Sequence, residues 1–162
     1  MAIKQLFKFY RYAFAWENYL LLARTWEAAR LVRRLLPQST LSPSLAEALP
    51  AVNALYLPPQ AGWHISDAEK IASFASFAVS FPFRWGRCLQ QALILYRLLN
   101  GYGIPARICF GINPAEPELE GHAWVVRLSD MRRAFAETSD PQQRFKLIYS
   151  SPLPASVQPD GL

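Results

Sequence analysis

The stretch from Cys88 to Ile112, CLQQALILYRLLNGYGIPARICFGI, decides the fold class, because its hydrophobic pattern changes once, in the middle. Leu89, Ala92, Leu93, Leu95, Tyr96 and Leu99 make the first half apolar on nearly every side, the pattern of a helix surrounded by the rest of the molecule. Asn100-Gly101 offers residues that tolerate the left-handed conformation ending a helix. From Ile104 to Ile112 the chain then reads as a strand that opens beside Pro105 and carries Ile108, Cys109 and Phe110. A buried helix running straight into a strand predicts an α+β fold with a central helix packed on a sheet.

Downstream, a polar loop from Asn113 to Gly121 leads into His122-Ala123-Trp124-Val125-Val126-Arg127-Leu128. Ser129-Asp130 turns the chain back into Met131 to Glu137, which predicts a hairpin, and Phe145 to Tyr149 predicts a last strand. The sheet is therefore expected to be small and antiparallel. After Ser151 the prolines 152, 154 and 159 and Gly161 give a tail with no pattern able to pack.

Upstream, Ser66 and Glu69 have capping-box spacing, and Ile71, Phe74, Ala75 and Ala78 then fall on one helical face that ends at Phe81-Pro82. Gln38 to Trp63 is a proline-rich connector with one short helix between Leu45 and Leu57. From Ile3 to Leu36, Tyr12, Trp16, Tyr19, Leu20, Ala23 and Trp26 recur at steps of three and four, predicting a helix with this stripe on its apolar side, stopped by Pro37. The expected organisation is one domain over 1–162: helices and connector over 1–63, a core over 64–150 and a tail over 151–162.

A chain of 162 residues that is 52% hydrophobic can bury one core. Its apolar runs, such as Leu20-Leu21-Leu22-Ala23, are broken by Glu17, Arg24 and Glu27 well short of a membrane span. Met1 to Tyr12 mixes Lys4, Lys8 and Arg11 with aromatics and lacks a signal-peptide core, so the cytoplasm is the expected compartment and a Cys88–Cys109 disulfide is not expected. The net charge of +5 favours acidic partners in general. Nucleic acid is disfavoured, since the arginines are not interleaved with aromatics in one segment. Two cysteines and two histidines without C-x-x-C or H-x-x-x-H spacing speak against a metal, and no phosphate loop or G-x-S-x-G elbow implies a cofactor or a serine nucleophile.

Cys88 stands where a loop meets the buried helix, so unpaired amides and the positive end of the helix dipole can stabilise a thiolate there. His122 opens a strand after a glycine, where its ring can point at a helix terminus packed on the sheet and serve as base to a thiol. A third group, accepting the other imidazole N–H, is expected from an element next to His122. Glu137 is well placed, with Asp140 and Asp130 as alternatives. Cys109, mid-strand between Ile108 and Phe110, reads as buried filler, and His64 in the connector as structural or incidental.

Cys88-Leu89-Gln90-Gln91-Ala92-Leu93, the turn Gly101-Tyr102-Gly103-Ile104-Pro105-Ala106, Gly111-Ile112 and His122-Ala123-Trp124-Val125 together resemble the leader peptidases of lasso-peptide biosynthesis, in the transglutaminase-like superfamily. The resemblance covers about Ser66 to Tyr149. It implies a transglutaminase-like, papain-like cysteine protease core over 64–150, preceded by helices, with no cofactor and a Cys-His-Asp triad. That triad would cut the leader from a ribosomally made precursor and free an amine for a separate ATP-dependent cyclase. Cys88 and His122 match the first two members. Glu137 takes the place of the usual aspartate, ahead of Pro141 and the Arg144-Phe145 pair, with Asp140 as the alternative, and Gln91 stands where a basic residue is common. The resemblance further implies a small leader-recognition protein as partner and admits the cyclase as another. Trp85 and Gln91 are candidates for the neighbourhood of an oxyanion. Two other readings stay open: the same residues used for acyl transfer or deamidation, and a catalytically silent adaptor that binds a peptide.

Overall fold

Four helices precede four strands among the described residues: α1 (Trp16–Leu35), α2 (Leu45–Leu55), α3 (Ala68–Ser80), α4 (Cys88–Gly101), β1 (Ala106–Asn113), β2 (Glu120–Arg127), β3 (Asp130–Ala134) and β4 (Lys146–Ser150), with a 3-10 turn at Pro141–Gln143. The computed structural model describes residues 16–36, 45–63, 67–80, 88–115, 120–128, 130–135 and 140–152. The fold is α+β. Among the described residues no helix is long and apolar enough to cross a membrane.

Helix α4 is the hub, packing against α1, α2 and α3 on one side and β1 and β2 on the other. Its apolar residues Leu89, Ala92, Leu93, Leu95, Tyr96 and Leu99 are all buried, as the pattern requires. The helix runs through Asn100 to Gly101, two residues beyond the expected end at Leu99. Gly103, at φ +72°, is the left-handed stop: its N–H donates to Asn100 O (2.9 Å) and the Ile104 N–H to Leu99 O (2.8 Å), the paired bonds that close a helix end. Gly101 is needed for space, because a Cβ there would lie 2.7 Å from Trp63 Cζ3 and 2.9 Å from Leu57 Cδ2.

Most of the stripe read along α1 faces outward, with Trp26 half-buried. Trp16 is 75% exposed and Tyr19, Leu20 and Ala23 are exposed with it, whereas Asn18, Leu21, Thr25, Ala28 and Val32 form the buried face. Small residues at 25, 28 and 29 let α1 lie close to α4 and α3, and the Thr25 hydroxyl is satisfied by donating to Leu21 O (2.6 Å). Arg24 ties this helix to the connector and the end of α4, its guanidinium 3.9 Å from the Trp63 ring and donating to the Tyr102 hydroxyl (3.0 Å). Tyr12 lies outside the described residues.

Helix α3 buries Ile71, Phe74, Ala75 and Ala78 as expected. Its observed cap is Asp67, whose Oδ1 accepts the Lys70 N–H (3.0 Å); Ser66 lies outside the described residues. Helix α2 tolerates Pro50 and buries Ala51, Val52 and Leu55.

The sheet is wholly antiparallel, in the order β3-β2-β1-β4. Alternation sorts its side chains: Ile108, Phe110, Ala123 and Val125 join the helical core, while Cys109, Trp124, Val126 and Phe145 form a second, smaller cluster. The register sets His122 opposite Gly111 and Trp124 opposite Cys109.

Candidate active site

Cys88 is the first residue of α4, so its thiol sits against helix amides that have no intrahelical acceptor. Packing of α4 on β2 brings that end of the helix to the start of the strand, where His122 is the third residue. The thiol is hydrogen-bonded to the His122 side chain and to the backbone N–H groups of Ala123 and Leu89. Burial by itself pushes a thiol up. Here the His122 hydrogen bond, the Ala123 N–H, the His122 charge and the Leu89 N–H together outweigh it and hold Cys88 below the ordinary thiol range. The group is half-buried and unpaired in any disulfide.

Two aromatic rings lie nearly parallel to the imidazole, Phe145 at 4.8 Å between centroids (22°) and Trp124 at 5.9 Å (18°). Phe145 is carried by the residue pair that follows the 3-10 turn. Its neighbour Arg144 bonds Glu120 through Nη2 and Oε2 (2.7 Å), and Glu120 also accepts from Asn113 Nδ2 (3.2 Å). The turn that presents Phe145 is thereby fastened to the strand that carries His122.

Of the acids considered, Glu137 lies outside the described residues, and of Asp130 only the backbone, at the start of β3, is described. Asp140 caps the 3-10 turn, its Oδ1 accepting the Gln142 N–H (3.0 Å). Gln91 faces α3, where its Nε2 donates to Ser76 Oγ (3.0 Å), so it links two helices. Trp85 and His64 lie outside the described residues. Cys109 is buried filler as expected, with burial pushing its thiol up against a 3.7 Å hydrogen bond to Ser150 Oγ. Among the described residues no cluster of three His, Cys, Asp or Glu could hold a metal ion.

The aromatic flanks of His122 are what a reading of the chain alone passed over. A signal existed for Trp124, two residues along the same strand face, and for Phe145 in the Arg144-Phe145 pair. What the linear order does not carry is that both rings meet at the imidazole.

Compared with protein families, residues 19–150 match the Transglutaminase-like superfamily. The chain belongs to that superfamily. The match starts in α1 and ends with β4, so α4, the whole sheet, Cys88 and His122 fall inside it. Members of the superfamily are typically cysteine proteases or transglutaminases, both of which work through a thiol nucleophile. No curated protein and no solved structure gave a significant match.

Proposed function

We propose that the chain is a cysteine peptidase that removes the leader from a ribosomally synthesised lasso-peptide precursor before macrolactam formation. The observation that carries the enzymatic part is the Cys88 thiol, held at a helix N-terminus and hydrogen-bonded to His122, which keeps it below the ordinary thiol range. The substrate class rests on the resemblance of the CLQQAL helix, the G-Y-G-I-P-A turn and the HAWV strand to leader peptidases.

In this reading His122 takes the Cys88 proton and the thiolate attacks the scissile carbonyl. Backbone amides at the start of α4 hold the oxyanion. The imidazolium then protonates the leaving amine, which departs as the core peptide, and water hydrolyses the leader thioester. Glu137 orients the imidazole, with Asp140 as the alternative, and no metal or cofactor takes part. The expected setting is the cytoplasm. A small leader-recognition protein delivers the precursor and the cyclase takes up the freed amine; a chain of net charge +5 suits an acidic leader or partner.

The test is cleavage of precursor in the presence of the recognition protein, followed by mass spectrometry. Cys88→Ala and His122→Ala should abolish the shortened product while circular dichroism stays native; persistence of cleavage in Cys88→Ala refutes the reading. Glu137→Ala should lose less than either, and full activity there with loss in Asp140→Ala reassigns the acid. The second reading, acyl transfer or deamidation, uses the same thiol and is favoured by the superfamily's transglutaminase members. It would give a new amide or a Gln-to-Glu change in place of a shortened peptide.

A further inference from the structure

For imidazole χ2 is a broad, roughly two-fold torsion, so the ring plane of a strand histidine such as His122 is set by the groups around it. The bond to Cys88 survives only a narrow part of that range, because hydrogen bonds weaken steeply with misalignment. An acid that accepts the imidazole N–H fixes one edge of the ring, and the groups packed on its faces set its plane. Phe145, at 4.8 Å and 22°, and Trp124, at 5.9 Å and 18°, are both placed to do so.

Trp124 is 1% exposed, and the space its indole occupies exists because residue 111 has no side chain. A Cβ on Gly111 would fall 2.8 Å from Trp124 Cη2 and 2.9 Å from Cζ3. It would also fall 2.9 Å from the Lys146 carbonyl oxygen, a backbone atom that cannot swing aside. Gly111 is not among the described glycines at positive φ, so space and not backbone conformation demands glycine. The pairing of β1 with β4 breaks register between Phe110 and Gly111, at the point where indole and carbonyl crowd the strand. Phe145 is fixed independently. Its N–H donates to Pro141 O (2.8 Å), and Arg144 reaches Glu120, two residues before His122.

We propose that Gly111, Trp124 and Phe145 act as positioning residues for His122: Gly111 opens the floor on which the Trp124 indole lies, and the Trp124 and Phe145 rings set the imidazole plane toward Cys88. This rests on the reading of Cys88 and His122 as nucleophile and base. The groups that act on the thiol directly are His122 and the Ala123 and Leu89 N–H. Their effect is on alignment, where a displacement of about 1 Å at a reacting group costs roughly a hundredfold in rate.

The experiment compares Phe145→Leu, Phe145→Tyr and Gly111→Ala with the parent in the full chain. Cys88 alkylation by iodoacetamide is followed against pH, with peptide mass mapping so that Cys109 does not contribute, alongside kcat and KM for precursor cleavage. Phe145→Leu keeps apolar volume but removes the ring. It should move the alkylation midpoint to higher pH and lower kcat by about tenfold to a hundredfold with little change in KM. Phe145→Tyr, which keeps the ring, should restore both, and Gly111→Ala should behave as Phe145→Leu does. A natively folded Phe145→Leu with the parent's alkylation profile overturns the proposal, including when cleavage falls, since the ring would then serve substrate and not the base. Should Gly111→Ala fail to fold, Phe145→Leu decides alone. Alkylation needs no substrate, so an altered profile in Phe145→Leu together with intact cleavage in Cys88→Ala would retain the alignment and discard the peptidase.

Discussion

Replacing Asn100 by alanine removes the group that stands in for a missing strand. Ala106 and Arg127 are directly opposite in the β1–β2 pairing, and Leu128 N–H donates to Pro105 O (3.1 Å), so Ala106 is in a non-hydrogen-bonded position and its own N–H and C=O point away from β2. On that other side β4 pairs with β1 only from Cys109 onward. The Asn100 amide fills the gap: Oδ1 accepts the Ala106 N–H (3.3 Å), and Nδ2 donates to Ala106 O (3.3 Å) and to Tyr96 O (2.9 Å). Ala106 is fully buried and Asn100 is 3% exposed, so water cannot replace the lost partners without opening the structure. Two orphaned backbone groups at about 1–3 kcal/mol each, taken toward the low end because both bonds are long, give a loss of roughly 2–4 kcal/mol. That is a large share of the ~5–15 kcal/mol that holds a typical domain together. Urea unfolding followed by tryptophan fluorescence should show a lowered midpoint at unchanged slope. The folded fraction should keep its activity, since Cys88 lies twelve residues up α4, about 18 Å away. In Asn100→Asp the carboxylate faces two carbonyl oxygens, so its deficit should shrink as pH falls and the acid becomes a donor. A change below about 0.5 kcal/mol in Asn100→Ala, the level of an ordinary surface substitution, would refute the account of the α4–β1 junction.

The two glycines at the end of α4 should fail for different reasons. Gly103→Ala meets only Pro59 Cβ at 3.8 Å, so its cost is the left-handed strain of about 1–2 kcal/mol, and Gly103→Asn should recover part of it; Gly101→Ala instead collides with Trp63 and Leu57 and should cost about 1–3 kcal/mol by overpacking, which asparagine would worsen. Urea midpoints of the four variants check both. The lowered Cys88 thiol also ties stability to pH: a group depressed on folding contributes above its unfolded value and loses that contribution as pH falls through the folded one. The stability of the parent relative to Cys88→Ser should therefore be greatest above the ordinary thiol range and shrink as pH falls below it, and a difference flat with pH would contradict the lowered thiol.

The sequence by itself determined the elements and singled out the two residues proposed to react, Cys88 and His122. The apolar residues from Leu89 to Leu99, broken by Gln90, Gln91 and Arg97, call for a helix enclosed on nearly every side, and the apolar run Ala123-Trp124-Val125-Val126 for a strand with two covered faces, so the α+β order was legible from local pattern. The position of Cys88 at a loop–helix boundary was likewise a local fact. Tertiary structure decided what depends on distance. The inner face of α1 went to Asn18, Leu21, Thr25, Ala28 and Val32, because close approach of helices rewards small contacts over aromatic bulk, which a periodicity count cannot weigh. The helix stop fell at Gly103, while Gly101, expected to serve that role, instead leaves room for Trp63, remote in sequence. His122 met Cys88 only through the packing of α4 on β2, and the Phe145 and Trp124 rings reached the imidazole through a turn pinned by Arg144 and a strand left open by Gly111. Hydrophobic period is a property of neighbours along the chain, whereas a site is a property of neighbours in space, and only closure of the core converts one into the other.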